Sequence, residues 1–356
     1  MYDKMNLKTV ISRLEENNLE YELMTLQNNL KIVITKRGGR IFGPFQTEES
    51  DSILWMNKAF LKADDFKNYL SSGNWNLGGD RMWIAPEIQF SVKDRKHFWD
   101  SLKTPEQIDP GNYTLIRSNE NKCVLEQEMS LDAYNLSTGT KSLCLKRSIS
   151  QCENPLRSLK GYDQFMEKVV FAGYEQEVEL KDTDKNDILA EAWNLTQLNP
   201  GGFLYVSTLP CVQYVDYYQP IDSNYQLISD NHVRLKITGD RQYKVGYKSA
   251  HVFGRLAYYN EMENGNVCLM IRNFFNNPSS FYSEEPPEKL DDNGYSVHVY
   301  NDGGNSGGFG ELECNAQTIG KGTGKISSID QMQSWFYIGA KVEIEQILYN
   351  LMGIKL

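Results

Sequence analysis

The chain has 356 residues, 40% of them hydrophobic and 24% charged, which is ordinary globular composition. Its formal net charge of −10, with no lysine- or arginine-rich run, speaks against nucleic acid or an anionic membrane as partner, because both present phosphate to an acidic surface. Met1 to Val10 holds no apolar signal core and no apolar run is long enough to cross a bilayer, so a cytoplasmic protein is expected.

In chain order, Leu7 to Asn18 carries Val10, Ile11 and Leu14 on one helical face, and Asn17-Asn18 ends it. Tyr21 to Thr35 reads as a hairpin about Gln27-Asn28-Asn29. Ile53 to Met56 is a predicted strand. Further strands are predicted over Tyr113–Ile116, Lys122–Met129, Lys141–Ile149, Val169–Leu180 and Ile188–Leu198. The second half continues with Val233–Ile237, Tyr243–Tyr247, His251–Tyr258, Asn266–Phe274, Tyr295–Tyr300, Gly310–Gln317 and Ser334–Ile338. Ser283 to Asn293 is a predicted exposed polar loop. Ile344 to Met352, with Ile344, Ile347, Leu348 and Leu351 in one stripe, is a predicted helix. About sixteen short strands, two peripheral helices and no shift of composition predict an all-β protein, one domain over residues 1–356, with strand several-fold above helix.

Two stretches concentrate chemistry. Gly73 to Glu87 combines Asn74, Trp75, Gly78-Gly79, Asp80, Arg81, Trp83 and Pro86-Glu87. Adjacent glycines let the backbone approach closely, while planar forks and aromatic rings suit the hydroxyls and the C–H face of a sugar. Phe309 to Cys314 is the second. Side chains alternate along a strand, so Glu311 and Glu313 share one face while Leu312 and Cys314 take the other. Two rigid carboxylates on one face can split their pKa values, which acid–base chemistry on a sugar would use; the alternative is a solvated strand face. The G-x-S-x-G run Gly304–Gly308 leads into a strand rather than a helix, so Ser306 is not a nucleophile elbow. Gly320–Lys325 lacks the hydroxyl residue of a phosphate loop. The six cysteines form no C-x-x-C pair and the four histidines have no ligand spacing, so neither metal nor cofactor is expected and the thiols should be free and buried. Of the histidines only His298, close to the acidic pair in a strand, is a candidate.

Val299-Tyr300, a glycine-rich turn and then Leu312-Glu313 resemble the C-terminal signature of the galactose mutarotase (aldose 1-epimerase) superfamily, whose glutamate at that place is the catalytic base. Gly78-Gly79 resembles the family's His-Gly-Gly turn, with Leu77 in place of the histidine. Ala192 to Leu198 resembles the segment carrying the general-acid histidine, with Trp193 in that slot. Gly38-Gly39-Arg40, Leu54-Trp55, Gly79–Trp83 and Ala85–Glu87 are more similar to an uncharacterised bacterial branch of the superfamily. The resemblance spans Tyr21 to Ile338. It implies a large antiparallel β-supersandwich with a sugar site in its concave face.

The function expected is therefore carbohydrate binding or carbohydrate chemistry of isomerase or epimerase type, on a mono- or oligosaccharide. Glu313 is the base or a hydroxyl acceptor. Arg81 and Arg272 are forks, and Trp75, Trp83 and Trp193 are stacking faces. Asn74, Asp80, Glu87, Gln197 and Asp302 complete the expected substrate set, and Glu311, Asp80 or His298 is the candidate acid. A noncatalytic sugar sensor is one alternative. Glycoside cleavage by Glu87 and Glu313 is another. Which sugar, and which oligomeric state, the sequence leaves open.

Overall fold

The computed structural model describes residues 4–356, apart from the Phe165 side chain; Met1–Asp3, where the scan for a leader begins, lie outside the described residues. Two antiparallel sheets face each other. The first has nine strands in the spatial order Tyr21–Thr25, Lys31–Thr35, Ile41–Phe45, Asp80–Ala85, Glu191–Leu198, Gly310–Asn315, Tyr295–Asn301, Tyr243–Lys248, Tyr214–Asp216. The second has ten strands, with Val170–Asp182, Ser327–Gly339 and Val267–Phe274 near its middle. The expected antiparallel β-supersandwich is the fold observed.

Period-two patterning explains the layers. Along Lys122–Ala133, Cys123, Leu125, Gln127, Met129, Leu131 and Ala133 are buried while the alternate positions are open. In the first sheet, Met82, Ile84, Leu312, Cys314, Val297 and Val299 point inward to a core shared with Leu145, Val178, Met270 and Phe336 of the second. Cross-strand register then sends Arg81, Trp83, Trp193, Leu195, Glu311, Glu313 and Lys244 to the opposite, outer face. That parity creates the site.

Helices cover what the sheets leave bare. Leu7–Glu16 starts at Asn6, whose side chain accepts the Thr9 N–H at 3.0 Å, and buries Leu7, Val10 and Leu14. Lys341–Met352 buries the expected stripe of Ile344, Ile347, Leu348 and Leu351 on the far face of the second sheet, and stops at Gly353 in the left-handed region.

Several expectations need correction. Ile53–Met56 forms no strand; Leu54 and Met56 make only isolated bridges, to Leu198 and Gly78. Phe203–Thr208, read as no element, is an interior strand of the second sheet. Strand accounts for 43% of the chain and helix for 19%, about twofold rather than several-fold, because short helices such as Ala63–Ser71 went unread. That helix buries only Phe66, so its apolar period is weak. Ser283 to Asn293 is not an exposed loop throughout: Ser283 to Pro287 are buried and form a strap over the first sheet. Two of the six free thiols also lie outside the core, Cys211 exposed and Cys144 half-buried.

Gly78 supplies the turn into the Asp80–Ala85 strand. Its φ is +98°, and an added Cβ would lie 2.4 Å from the Trp55 carbonyl oxygen and 2.6 Å from Met56 Cα. Gly78→Ala is therefore expected to lower stability by at least ~1–3 kcal/mol, the cost of one strained backbone position. Urea unfolding measures it; an unchanged midpoint would mean that the turn does not need glycine.

Candidate functional site

The outer face of the first sheet forms the floor of a cavity of about 560 Å³. Its walls come from the Ser72–Trp75 loop, the Trp99–Asp109 segment, Tyr218 and the glycine-rich turn at Ser306. Five strands supply the floor, because residues opposite one another in an antiparallel ladder share a face: Trp83 opposes Trp193, Leu195 opposes Glu313, and Lys244 opposes Tyr300.

Glu313 is at the centre. It is 1% exposed, accepts the Trp193 Nε1–H at 3.0 Å, and has the Lys244 ammonium 3.5 Å from its Oε2. Burial outweighs the pull of Lys244, and the negative charges of Glu311 and Glu87 add to it, so the Glu313 carboxyl is raised from its usual range to about 7. Lys244 lies 3.4 Å from Glu87 Oε2 as well, and 4.5 Å over the Trp193 ring. Burial would strip its proton, but Glu313 and Glu87 hold its pKa well above the ordinary lysine value. The cavity therefore contains a fixed ammonium beside a carboxyl that titrates near neutrality.

Glu311 Oε1 forms an ion pair with Arg81 Nη2 at 2.8 Å. The Arg81 guanidinium stands 4.4 Å over Trp83 and 5.1 Å over Trp75, while its Nε and Nη1 have no partner. These are two buried donors left for a ligand or water to satisfy. Trp83 also donates its Nε1–H to Asp109 Oδ2 at 3.0 Å. Trp75, Trp83 and Trp193 thus each hold a cation over the ring, so the expected stacking faces are partly occupied by the protein's own side chains.

Of the residues expected from sequence, Trp75, Arg81, Trp83, Glu87, Trp193, Glu311 and Glu313 line this one cavity. Others go elsewhere. Asp80 and Arg272 lie between the sheets, both fully buried, paired at 2.6 Å. Asp80 precedes Arg81 by one residue, and strand alternation turns it to the core face, so neither contacts the cavity. His298 shares the outer face, but its Nε2 is bonded to the Tyr217 hydroxyl at 2.8 Å and it does not line the cavity. Burial, with Lys244 nearby, pushes its pKa well below the ordinary value, so it is neutral and no general acid near pH 7. Asp302 accepts the backbone N–H groups of Gly304, Ser306 and Gly308 at 3.0, 3.1 and 2.9 Å and so shapes the turn instead of touching a substrate. Gln197 is buried on the outer face beyond the cavity, with both amide atoms unpartnered. Asn74 is exposed in a side recess lined by Trp75 and Asn305.

Sequence reading missed Lys244, Trp99, Tyr218 and Glu284. The signal for Lys244 was present: in Tyr243–Tyr247 it has the parity opposite to Val245, which packs in the core. Glu284 was hidden by a run of Glu and Pro that looks solvated. It is 1% exposed, accepts the Glu87 backbone N–H at 2.7 Å, and burial raises its pKa well above the carboxylate range. Glu191 ties down the same strap, accepting the Ser283 N–H at 3.0 Å and the Thr318 hydroxyl.

The architecture defines a galactose mutarotase-like β-supersandwich. It superposes on a putative aldose 1-epimerase from Escherichia coli K12 with TM-score 0.50 and 10% identity, over 89% of this chain and 99% of that one. A galactose mutarotase-like protein from Lactobacillus casei ATCC 334 gives TM-score 0.50 and 8% identity, over 89% and 100%. The likeness at such identities is one of fold. No curated protein matches the sequence. The model of the family of unknown function DUF6786 matches residues 7–356, and the chain belongs to that family. No helix among the described residues is long and apolar enough to cross a membrane.

Proposed function

We propose that residues 1–356 act as one carbohydrate-active unit that takes a sugar into the cavity over the first sheet, with Glu313 as its base. The observation that carries this reading is the buried Glu313 carboxyl, raised to about 7, beside the Lys244 ammonium in an aromatic-walled cavity. A base whose pKa matches the working pH combines a useful ionised fraction with useful basicity. The proton of a bound hydroxyl passes to Glu313, and the oxygen left behind is stabilised by Lys244, which keeps its own proton. The free Nε and Nη1 of Arg81 orient neighbouring hydroxyls.

Anomer interconversion also needs an acid at the ring oxygen. Trp193 occupies the slot that the mutarotase resemblance gives to that acid, and an indole N–H donates a hydrogen bond but no proton. The same observation favours the second reading, a noncatalytic sugar-binding protein. Glu87 and Glu313, the pair expected for glycoside cleavage, share the single ammonium of Lys244.

Thermal-shift titration against a panel of aldoses and disaccharides tests the reading, since a ligand that binds only the native state must raise Tm. At least one sugar is expected to do so. A panel without any shift would remove the carbohydrate reading. Polarimetry on freshly dissolved glucose and galactose is expected to show little mutarotation.

A further inference from the structure

A second cavity of about 930 Å³ adjoins the first, with Asp94, Arg95, Lys96, Asn135, Gln219 and Glu288 among its walls, acidic and basic groups in equal number. Trp99, Tyr218 and Gln242 line both, so the two cavities meet at these side chains. Trp99 is the junction. It is 55% exposed, its ring centroid 4.8 Å from Tyr218 and 5.0 Å from Phe98. Phe98 is buried in a small cluster with Ile88 and Val92, so the exposed indole stands on a fixed base rather than on a mobile loop tip.

We propose that the two cavities together bind one neutral oligosaccharide. One terminal unit enters the inner cavity, and the following units cross Trp99 and Tyr218 into the outer one. The proposal rests on the reading of the inner cavity as a sugar site and adds the length and charge of the ligand. Length follows from volume: pockets for small ligands span ~300–1,000 Å³, each cavity alone lies within that range, and a single pyranose fills neither. The aromatic groups agree. Trp75, Trp83 and Trp193 already carry cations over their rings, whereas Trp99 offers an open apolar face that costs free energy while it remains in water.

Neutrality follows from the ion pairs. Arg81 is matched by Glu311 at 2.8 Å, and Lys244 is held between Glu87 and Glu313. A carboxylate or phosphate entering the inner cavity would find both cations already matched and would add an uncompensated negative charge beside Glu311, Glu87 and Glu313. Hydroxyls add no charge: they accept from Arg81 and donate to Glu313 with the pairs intact.

Calorimetric titration with glucose, galactose, and cello-, malto- and xylo-oligosaccharides of increasing length tests this. In at least one series the affinity is expected to rise at least about tenfold (~1.4 kcal/mol) from mono- to trisaccharide. Trp99→Ala, on an exposed side chain, should bring the ratio of trisaccharide to monosaccharide affinity close to one. Monosaccharide binding with no gain from length in any series, or a ratio untouched by Trp99→Ala, would overturn the oligosaccharide proposal and leave the inner site standing. Binding of uronic acids tighter than of their neutral counterparts would overturn the neutral assignment. Failure of every sugar to bind wild type would remove both the proposal and the reading beneath it.

Discussion

Asp80→Ala is expected to destabilise the protein more than any substitution at the cavity. The Asp80 carboxylate accepts from Tyr174 at 2.8 Å, Gln176 at 3.0 Å and Asn194 at 2.7 Å, and pairs with Arg272 at 2.6 Å and Arg147 at 3.6 Å. Burial alone would raise its pKa, but Arg272 and Arg147 reverse that and hold it below the ordinary value. These partners come from both sheets, so the carboxylate joins the two layers of the sandwich. Removing it leaves two guanidinium groups buried without their counter-ion, and breaking a buried pair costs ~3–5 kcal/mol. Asp80→Asn keeps the shape and several hydrogen bonds but loses the charge, so most of the loss should remain. Urea or thermal unfolding gives the answer. If Asp80→Ala melts with wild type, the carboxylate does not hold the layers together.

At Glu313 the expected effect is on chemistry. Glu313→Gln preserves the volume, keeps an acceptor for the Trp193 N–H and removes the base. If the protein is catalytic, the rate should fall by ~10²–10⁴, the usual contribution of a positioned general base, with sugar affinity little changed. If it only binds, affinity should instead weaken by about 1–3 kcal/mol through one lost charged hydrogen bond. The pH dependence separates the cases further. With the carboxyl at about 7, the ionised base is lost as pH falls, so kcat/KM of wild type should decline on the acid side of about pH 7. The limb should be absent from any residual activity of Glu313→Gln. The sign for stability is opposite to that of an ordinary salt-bridged carboxylate. A carboxyl whose folded pKa is raised contributes stability that is full below its unfolded value, near 4.5, and is lost as pH rises to about 7. The Tm of wild type relative to Glu313→Gln should therefore fall across that window. A wild-type rate that does not change between pH 5 and 8 would count against Glu313 as the base.

How legible the protein is from its sequence depends on the range over which each feature is decided. The helix over Leu7–Glu16, the stripe of Lys341–Met352 and the alternation of Lys122–Ala133 are written locally, because a helical or strand period is a property of neighbours along one chain. The shared face of Glu311 and Glu313 is local in the same sense: alternation within one strand requires it. Asp80 and Arg81 mark the limit. Adjacent in sequence, they must point to opposite faces, yet only the pairing of Asp80–Ala85 with Glu191–Leu198 decides that Arg81 meets the cavity and Asp80 the core.

Lys244 becomes a site residue only because Tyr243–Lys248 pairs with Tyr295–Asn301, which pairs in turn with Gly310–Asn315. The Glu-Glu-Pro-Pro run looked solvated because its partners are distant in sequence: Glu87 holds Glu284, Arg95 holds Glu285, and Glu191 holds Ser283. Period and parity were therefore available from the residues alone, since they are set by backbone geometry. Which polar face becomes a cavity and which becomes an ion-paired interior depended on contacts between segments far apart in the sequence, and those exist only once the strands have paired and the two sheets have closed on each other.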